Sequence, residues 1–309
     1  MNRRSPALAF ALTALAATLR PAAPLAAQTL DDAVFMSKRE VCASLFLKRD
    51  SWTQYWEGSL KRSNGNIGTL TTTELSYMGA YGITDRFTVM ASLPYVRTNA
   101  SAGVLQGQRG VQDLTVSAKY KLLTTPLTTA GTLKVIAVAG VGTPVSDYTP
   151  DFLPMSIGSS SKRVIGRGTL QFMSHKGWYV NGSAGYIWRS NVTLSRPAYY
   201  TNGQLTLSDQ VRMPDVTDYV VALGYDRRGL NITIPYTSQR TLGGGDIRRQ
   251  DMPFVSNRMN LSKVEARVQF QIPKVNIASL RVEASHVLDG RNVGQSTGFS
   301  LGLILAGRP

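Results

Sequence analysis

Trp178-Tyr179-Val180-Asn181-Gly182-Ser183-Ala184-Gly185-Tyr186-Ile187-Trp188-Arg189 alternates along its whole length. Trp178, Val180, Gly182, Ala184, Tyr186 and Trp188 share one parity; Tyr179, Asn181, Ser183, Gly185, Ile187 and Arg189 share the other. Side chains of a strand point alternately to its two faces, so this stretch predicts a strand with one apolar and one mainly polar surface. The two tryptophans lie ten positions apart on the apolar face. At ~3.3 Å per residue and a strand tilt near 40°, their separation along a membrane normal is about 25 Å, the height of the apolar band between the aromatic girdles of an outer-membrane barrel. Phe87 and Tyr95 repeat the pattern on another segment.

The same alternation recurs through the chain. Leu114, Val116, Ala118, Tyr120 and Leu122 oppose Thr115, Ser117, Lys119 and Lys121; Val264 to Ile272 opposes Lys263 to Gln271 in the same way. Twelve such segments span 41–60, 69–82, 86–97, 111–123, 131–143, 161–173, 178–193, 214–226, 229–240, 257–272, 278–289 and 296–306. Most exceed the ~9–11 residues with which a tilted strand crosses a bilayer. Their connections alternate in length: compact turns such as Ser174-His175-Lys176-Gly177 on one side, and stretches such as 194–213 on the other. Short periplasmic turns and long outside loops distinguish an outer-membrane barrel from a soluble sandwich. The expected fold is therefore all-β, a closed up-and-down antiparallel transmembrane barrel of about twelve strands at 41–309. Closure follows from the absence of water to satisfy a free strand edge in lipid.

Composition agrees. Charged residues are 17%, against roughly 25% in ordinary globular chains. Residues 1–27 carry Arg3 and Arg4, an apolar run from Pro6 to Leu19, and small residues before Gln28. They read as a secretory signal peptide, which directs the chain to the outer membrane. Residues 28–40 form a short N-terminal segment, either periplasmic or reaching into the lumen. One cysteine, Cys42, excludes an internal disulfide.

Several segments resemble one family of outer-membrane barrels, the group named after the meta pathway of phenol degradation and labelled as transporters. They are YGITDRFTVMASLPYV from Tyr81, GVQDLTVSAKYKLL from Gly110, VAGVGTP from Val138 and GRNVGQSTGFSLGL from Gly290. The likeness is carried by a Gly-x-x-Asp-Arg turn (Gly82, Asp85, Arg86), a strand ending Leu93-Pro94-Tyr95, a Gly-x-x-Asp start (Gly110, Asp113) and the loop Gly290 to Ser296. The ending Leu305-Ala306-Gly307-Arg308-Pro309 departs from the aromatic last residue common in such barrels. The resemblance implies transport of small organic compounds and carries no catalytic residue.

No phosphate loop, metal-ligand spacing or nucleophile elbow is found, so no catalytic, cofactor or metal residue is assigned. Gly243-Gly244-Gly245 lacks the Lys and Ser/Thr of a phosphate cradle. Ser262 and His286, of matching parity on neighbouring segments, could form a hydrolase pair at the lipid-facing rim, but no third group orients the base. Two other readings remain beside a solute channel: a structural or surface-anchoring barrel with a blocked lumen, and that lipid hydrolase. The formal charge is +15; without Arg3, Arg4 and Arg20 it is +12, with 31 basic against 19 acidic residues spread over the chain. The expected partners are membrane lipid, lipopolysaccharide and small solutes rather than nucleic acid. Parity assigns Lys119, Lys121, Lys134, Arg163, Arg167, Arg189, Lys263, Arg267 and Arg281 to the lumen, with Glu74, Glu265 and Glu283. Nine against three makes the expected lumen basic and the expected solutes small anions such as carboxylates.

Overall fold

A computed structural model describes residues 28–248 and 253–308. The leader assigned to 1–27 lies outside the described residues. Twelve long strands form the wall: β1 (Val41–Trp52), β2 (Leu70–Thr84), β3 (Phe87–Ala100), β4 (Asp113–Leu127), β5 (Gly131–Pro144), β6 (Arg163–Ser174), β7 (Trp178–Arg189), β8 (Val216–Arg227), β9 (Leu230–Thr241), β10 (Asn260–Gln271), β11 (Ala278–Arg291) and β12 (Thr297–Gly307). Each pairs antiparallel with its chain neighbours. β1 also pairs with β12, from Val41↔Gly307 to Ser51↔Thr297, so the sheet closes without a free edge. Among the described residues no helix is long and apolar enough to cross a membrane.

The short connections gather at one end, as turns 85–86, 175–177 and 228–229. Arg228 and Gly229 both have positive φ (55° and 78°), the conformation of a two-residue turn matched to strand twist. The other end carries the long loops, among them 53–69, 145–162 and 190–215, together with the described residues 242–248 and 253–259. The alternating run 41–60 does not remain one strand. β1 stops at Trp52, and Gln54–Glu57 pairs with Leu60–Ser63 in a separate hairpin. Gly58, at φ 56°, turns that hairpin. Alternation alone could not separate the two pieces, because both are strands.

The two faces of the wall differ as the parity requires. Val116, Leu170, Val180, Val221, Leu223 and Leu301 are exposed on the outer face, while neighbours such as Ser117, Thr169 and Ser183 are buried inside. An apolar exterior and polar interior suit a closed sheet in lipid. Trp178 and Trp188 stand on the exterior at opposite ends of β7, 63% and 48% exposed. Tyr95 is also exposed there, and Phe87 packs against Tyr120 near the short-turn end, ring centroids 6.4 Å apart.

Candidate functional site: the barrel lumen

Residues 28–40 enter the barrel from the short-turn end and lie against its inner wall. At the rim, Arg39 N–H donates to Gly82 O (2.7 Å) and Lys38 N–H to Asp85 Oδ1 (2.9 Å). A Cβ at Gly82 would lie 2.0 Å from Ser37 O, so only glycine lets the segment pass there. Two residues of the Gly-x-x-Asp-Arg turn thus fasten the segment. Deeper inside, Met36 packs with Cys42, Ala80, Met90 and Ile304.

Two of the segment's three carboxylates, Asp31 and Asp32, meet lumen cations. Lys119 is fully buried; its ammonium donates to Asp32 Oδ1 (2.6 Å), Asp32 O (2.8 Å) and Thr29 O (3.0 Å). The Phe35 ring lies 5.5 Å from Lys119 Nζ and 4.7 Å from Lys121 Nζ. Asp31 stands 3.7 Å from Arg267, and its backbone carbonyl accepts from Asn181 Nδ2 (2.6 Å). Burial works to raise the Asp31 pKa, but Arg267, the Thr29 hydrogen bond and Arg167 outweigh it and hold the carboxyl below its usual range.

Two cavities flank this segment. A lower one of about 420 Å³, toward the short turns, is bounded by Lys121, Lys134, Asp226 and Arg281. An upper one of about 630 Å³, toward the loops, is bounded by Lys48, Glu74, Arg167 and Lys263. Asp31 and Arg267 line both, so they mark the boundary between the cavities.

The remaining assigned residues are held by partners of their own along the wall. Glu265 bonds both Lys263 (2.6 Å) and Arg267 (2.5 Å); Glu283 bonds Arg281 (2.6 Å) and lies 4.0 Å from Arg267. Arg167 pairs with Asp218 and donates to Ser183 Oγ (3.0 Å). Arg163 stands 3.3 Å from Asp113. Arg189 is at the loop end, where its Nε donates to Pro214 O (2.6 Å). It lines a loop cavity of about 1090 Å³ with Lys162, Arg212 and Asp215.

The count of nine cations against three carboxylates is corrected by this geometry. Asp50, Asp113, Asp218 and Asp226 also face the interior, Asp31 and Asp32 enter with the segment, and Lys48 adds a cation. That makes ten cations against nine carboxylates. Parity could have found Asp113, which shares its face with Thr115 and Lys119, and Asp218 two turns of the alternation before Ala222. Asp31 and Asp32 had no strand parity to read.

The Ser262–His286 pair does not assemble. Ser262 pairs across the sheet with Ser238 and Asp289 at a β-bulge, whereas His286 pairs with Val264 and Thr297. The His286 Nδ1 hydrogen bond goes to Thr297 Oγ1, at 2.8 Å.

The architecture is similar to that of solved outer-membrane proteins. The COG4313 outer membrane channel from Pseudomonas putida F1 superposes with a TM-score of 0.70 at 16% identity, over 88% of this chain and 97% of that one. The NanC porin covers 84% of this chain and 98% of its own, at 11% identity and a TM-score of 0.46. No curated protein matches the chain. The family model described as "Putative MetA-pathway of phenol degradation" matches residues 62–249, well over half the chain and with it most of the barrel. The chain therefore belongs to that family, as an outer-membrane β-barrel.

Proposed function

We propose that this barrel is a channel for small organic solutes, with anions such as carboxylates preferred, and that residues 28–40 constrict its lumen. The observation that carries the reading is the pair of polar cavities on either side of the Asp31–Arg267 boundary, inside a closed wall. A channel needs interior space that water and solute can occupy in sequence, with charged groups that bind weakly enough to release.

Anion preference rests on the distribution of charge rather than on a large lumen excess. The ten cations and nine carboxylates inside largely compensate each other, while residues 28–309 carry +12. Basic groups accumulate at the ends. Lys162, Arg189 and Arg212 face Asp215 around the loop cavity; Lys121, Lys134, Arg267 and Arg281 face Asp31, Asp32 and Asp226 at the lower cavity. Low-dielectric walls focus such fields and concentrate counter-ions at a mouth. Within the lumen, Asp31 and Asp32 occupy the cations a passing carboxylate would use. Planar-bilayer reversal potentials in a salt gradient test the reading. Anion preference is expected, and Lys121→Glu with Lys134→Glu should weaken it; cation preference in the parent protein would reject it.

The blocked-barrel reading is supported by one specific observation, the burial of Lys119 beneath the segment. Liposome swelling separates the two: a permanently blocked barrel passes no solute.

A further inference from the structure

A fourth cavity also lies at the loop end. It measures about 600 Å³ and lies among Trp52, Tyr55, Lys61, Arg62, Pro154 and Ile247. Trp52 lines both this outer cavity and the upper lumen cavity. It is the last residue of β1 and shares the inward parity of Lys48 and Asp50. Its indole therefore stands at the boundary between loops and lumen, as Asp31 and Arg267 stand at the boundary below.

The ring is held there by the loop 292–296. A Cβ added to Gly294 would lie 2.4 Å from Trp52 Cδ2 and Cε2, so the indole rests directly on the glycine backbone. Trp56, 5% exposed, is seated on Gly290 in the same manner, where a Cβ would come within 2.8 Å of its ring. Backbone bonds clamp the hairpin 54–63 over these seats: Trp56 N–H donates to Val293 O (2.9 Å) and Gln295 N–H to Gln54 O (2.8 Å). Asn292 completes the clamp. Its Oδ1 accepts from Gly58 N–H (2.8 Å) and Ile247 N–H (3.1 Å), and its Nδ2 donates to Asp246 Oδ1 (2.8 Å) and Arg258 O (2.7 Å). Both seats and the clamp come from one stretch, Gly290-Arg291-Asn292-Val293-Gly294-Gln295.

We propose that Trp52 is the outer size filter of the channel and that Gly294 is its positioning residue. The proposal rests on the channel reading above. A large, rigid aromatic ring at a boundary of two cavities limits the cross-section there, and its flat face favours solutes that can slide or stack along it.

The test is single-channel conductance and liposome swelling with a graded sugar series, on the full chain. Constrictions in series add their resistances, so removing one raises conductance by its share, about twofold if the Asp31–Arg267 boundary carries the other half. Trp52→Ala is therefore expected to give that rise and admit larger sugars, with Trp52→Phe between. Gly294→Ala, which pushes the indole off its seat toward the lumen, should lower conductance. Trp56→Ala loosens the same hairpin without reaching the lumen and should leave the size limit unchanged. Heat-modifiable gel mobility verifies that each variant is folded. Folded Trp52→Ala with the parent size limit, or Trp56→Ala with the same increase as Trp52→Ala, overturns the filter. If the parent, Trp52→Ala and an Asp31→Asn/Asp32→Asn variant all fail to conduct, the channel reading fails and the filter falls with it.

Discussion

Replacing Asp32 by Asn should release the N-terminal segment from the lumen. The Asp32 carboxylate does more than pair with Lys119. Its Oδ2 accepts from Thr29 N–H (2.5 Å) and Thr29 Oγ1 (2.8 Å), and its Oδ1 also accepts from Val34 N–H (2.9 Å). The one carboxylate thus shapes the turn and anchors it to the wall. Asparagine keeps one acceptor but removes the charge and points an NH₂ at a group that only donates. Lys119 is fully buried and would keep only two carbonyl partners. Breaking a buried pair by removing one partner costs ~3–5 kcal/mol. Asp32 is itself 23% exposed, which favours the lower end. About 3 kcal/mol is a factor of roughly 150 in the ratio of docked to released segment. The strands do not depend on this pair, so the barrel itself should stay folded. Hydrogen–deuterium exchange of residues 28–37, followed by mass spectrometry, reads release, and bilayer recordings read the matching rise in open time. The variant Asp32→Asn/Lys119→Met removes the uncompensated charge and should recover much of the docking, because an apolar pair is often neutral relative to a buried ion pair. If residues 28–37 of Asp32→Asn exchange no faster than in the parent, the latch reasoning is refuted. If the double variant is as loose as the single, the charge argument is refuted even though the loosening stands.

Acid should act in the same direction. The Asp31 carboxyl is held below its usual value, so its stabilisation of the docked segment is present above the unfolded pKa of ~3.9 and is lost as pH falls through the folded value; open time that stayed constant down to pH 3 would contradict this. Asn292→Ala strands Gly58 N–H, Ile247 N–H and Arg258 O, at about 1–3 kcal/mol for each group left buried and unpaired. Proteolysis should then rise within 53–69 and 242–259 while the strands stay protected. Val221→Arg places a cation on the outer face of β8, where Val221 is 55% exposed, and should destabilise the barrel in lipid by ~2–4 kcal/mol; denaturant titration in liposomes checks it, and a neutral result would reverse the assigned faces.

The strands were legible because lipid enforces their pattern. A residue such as Val180 or Leu223 on the outer face meets hydrocarbon, and Ser183 or Thr169 behind it meets a polar interior, so parity is under energetic control. That control ends at the membrane boundary. The run 41–60 kept alternating past Trp52 because the hairpin at 54–63 is also a strand pair, and alternation says nothing about which sheet a strand joins. The Gly-Arg-Asn-x-Gly stretch could be read as a resemblance but not explained, since Gly290 and Gly294 matter through rings from Trp56 and Trp52 more than 230 positions away in sequence.

The lumen charge was the least legible feature, for a reason that bears on selectivity. Parity identifies which strand residues face inward, but it cannot say what fills the space they face. Here the filling is residues 28–40, whose Asp31 and Asp32 follow no strand pattern yet sit on Arg267 and Lys119. The segment is neither a wall residue nor solvent, so it changes the field without changing the fold. With those two carboxylates docked, the interior holds ten cations to nine carboxylates. With them released, the wall alone holds ten to seven. On the proposed channel reading, an opening that widened the passage would therefore also make it more attractive to anions, with both changes tied to the same two ion pairs.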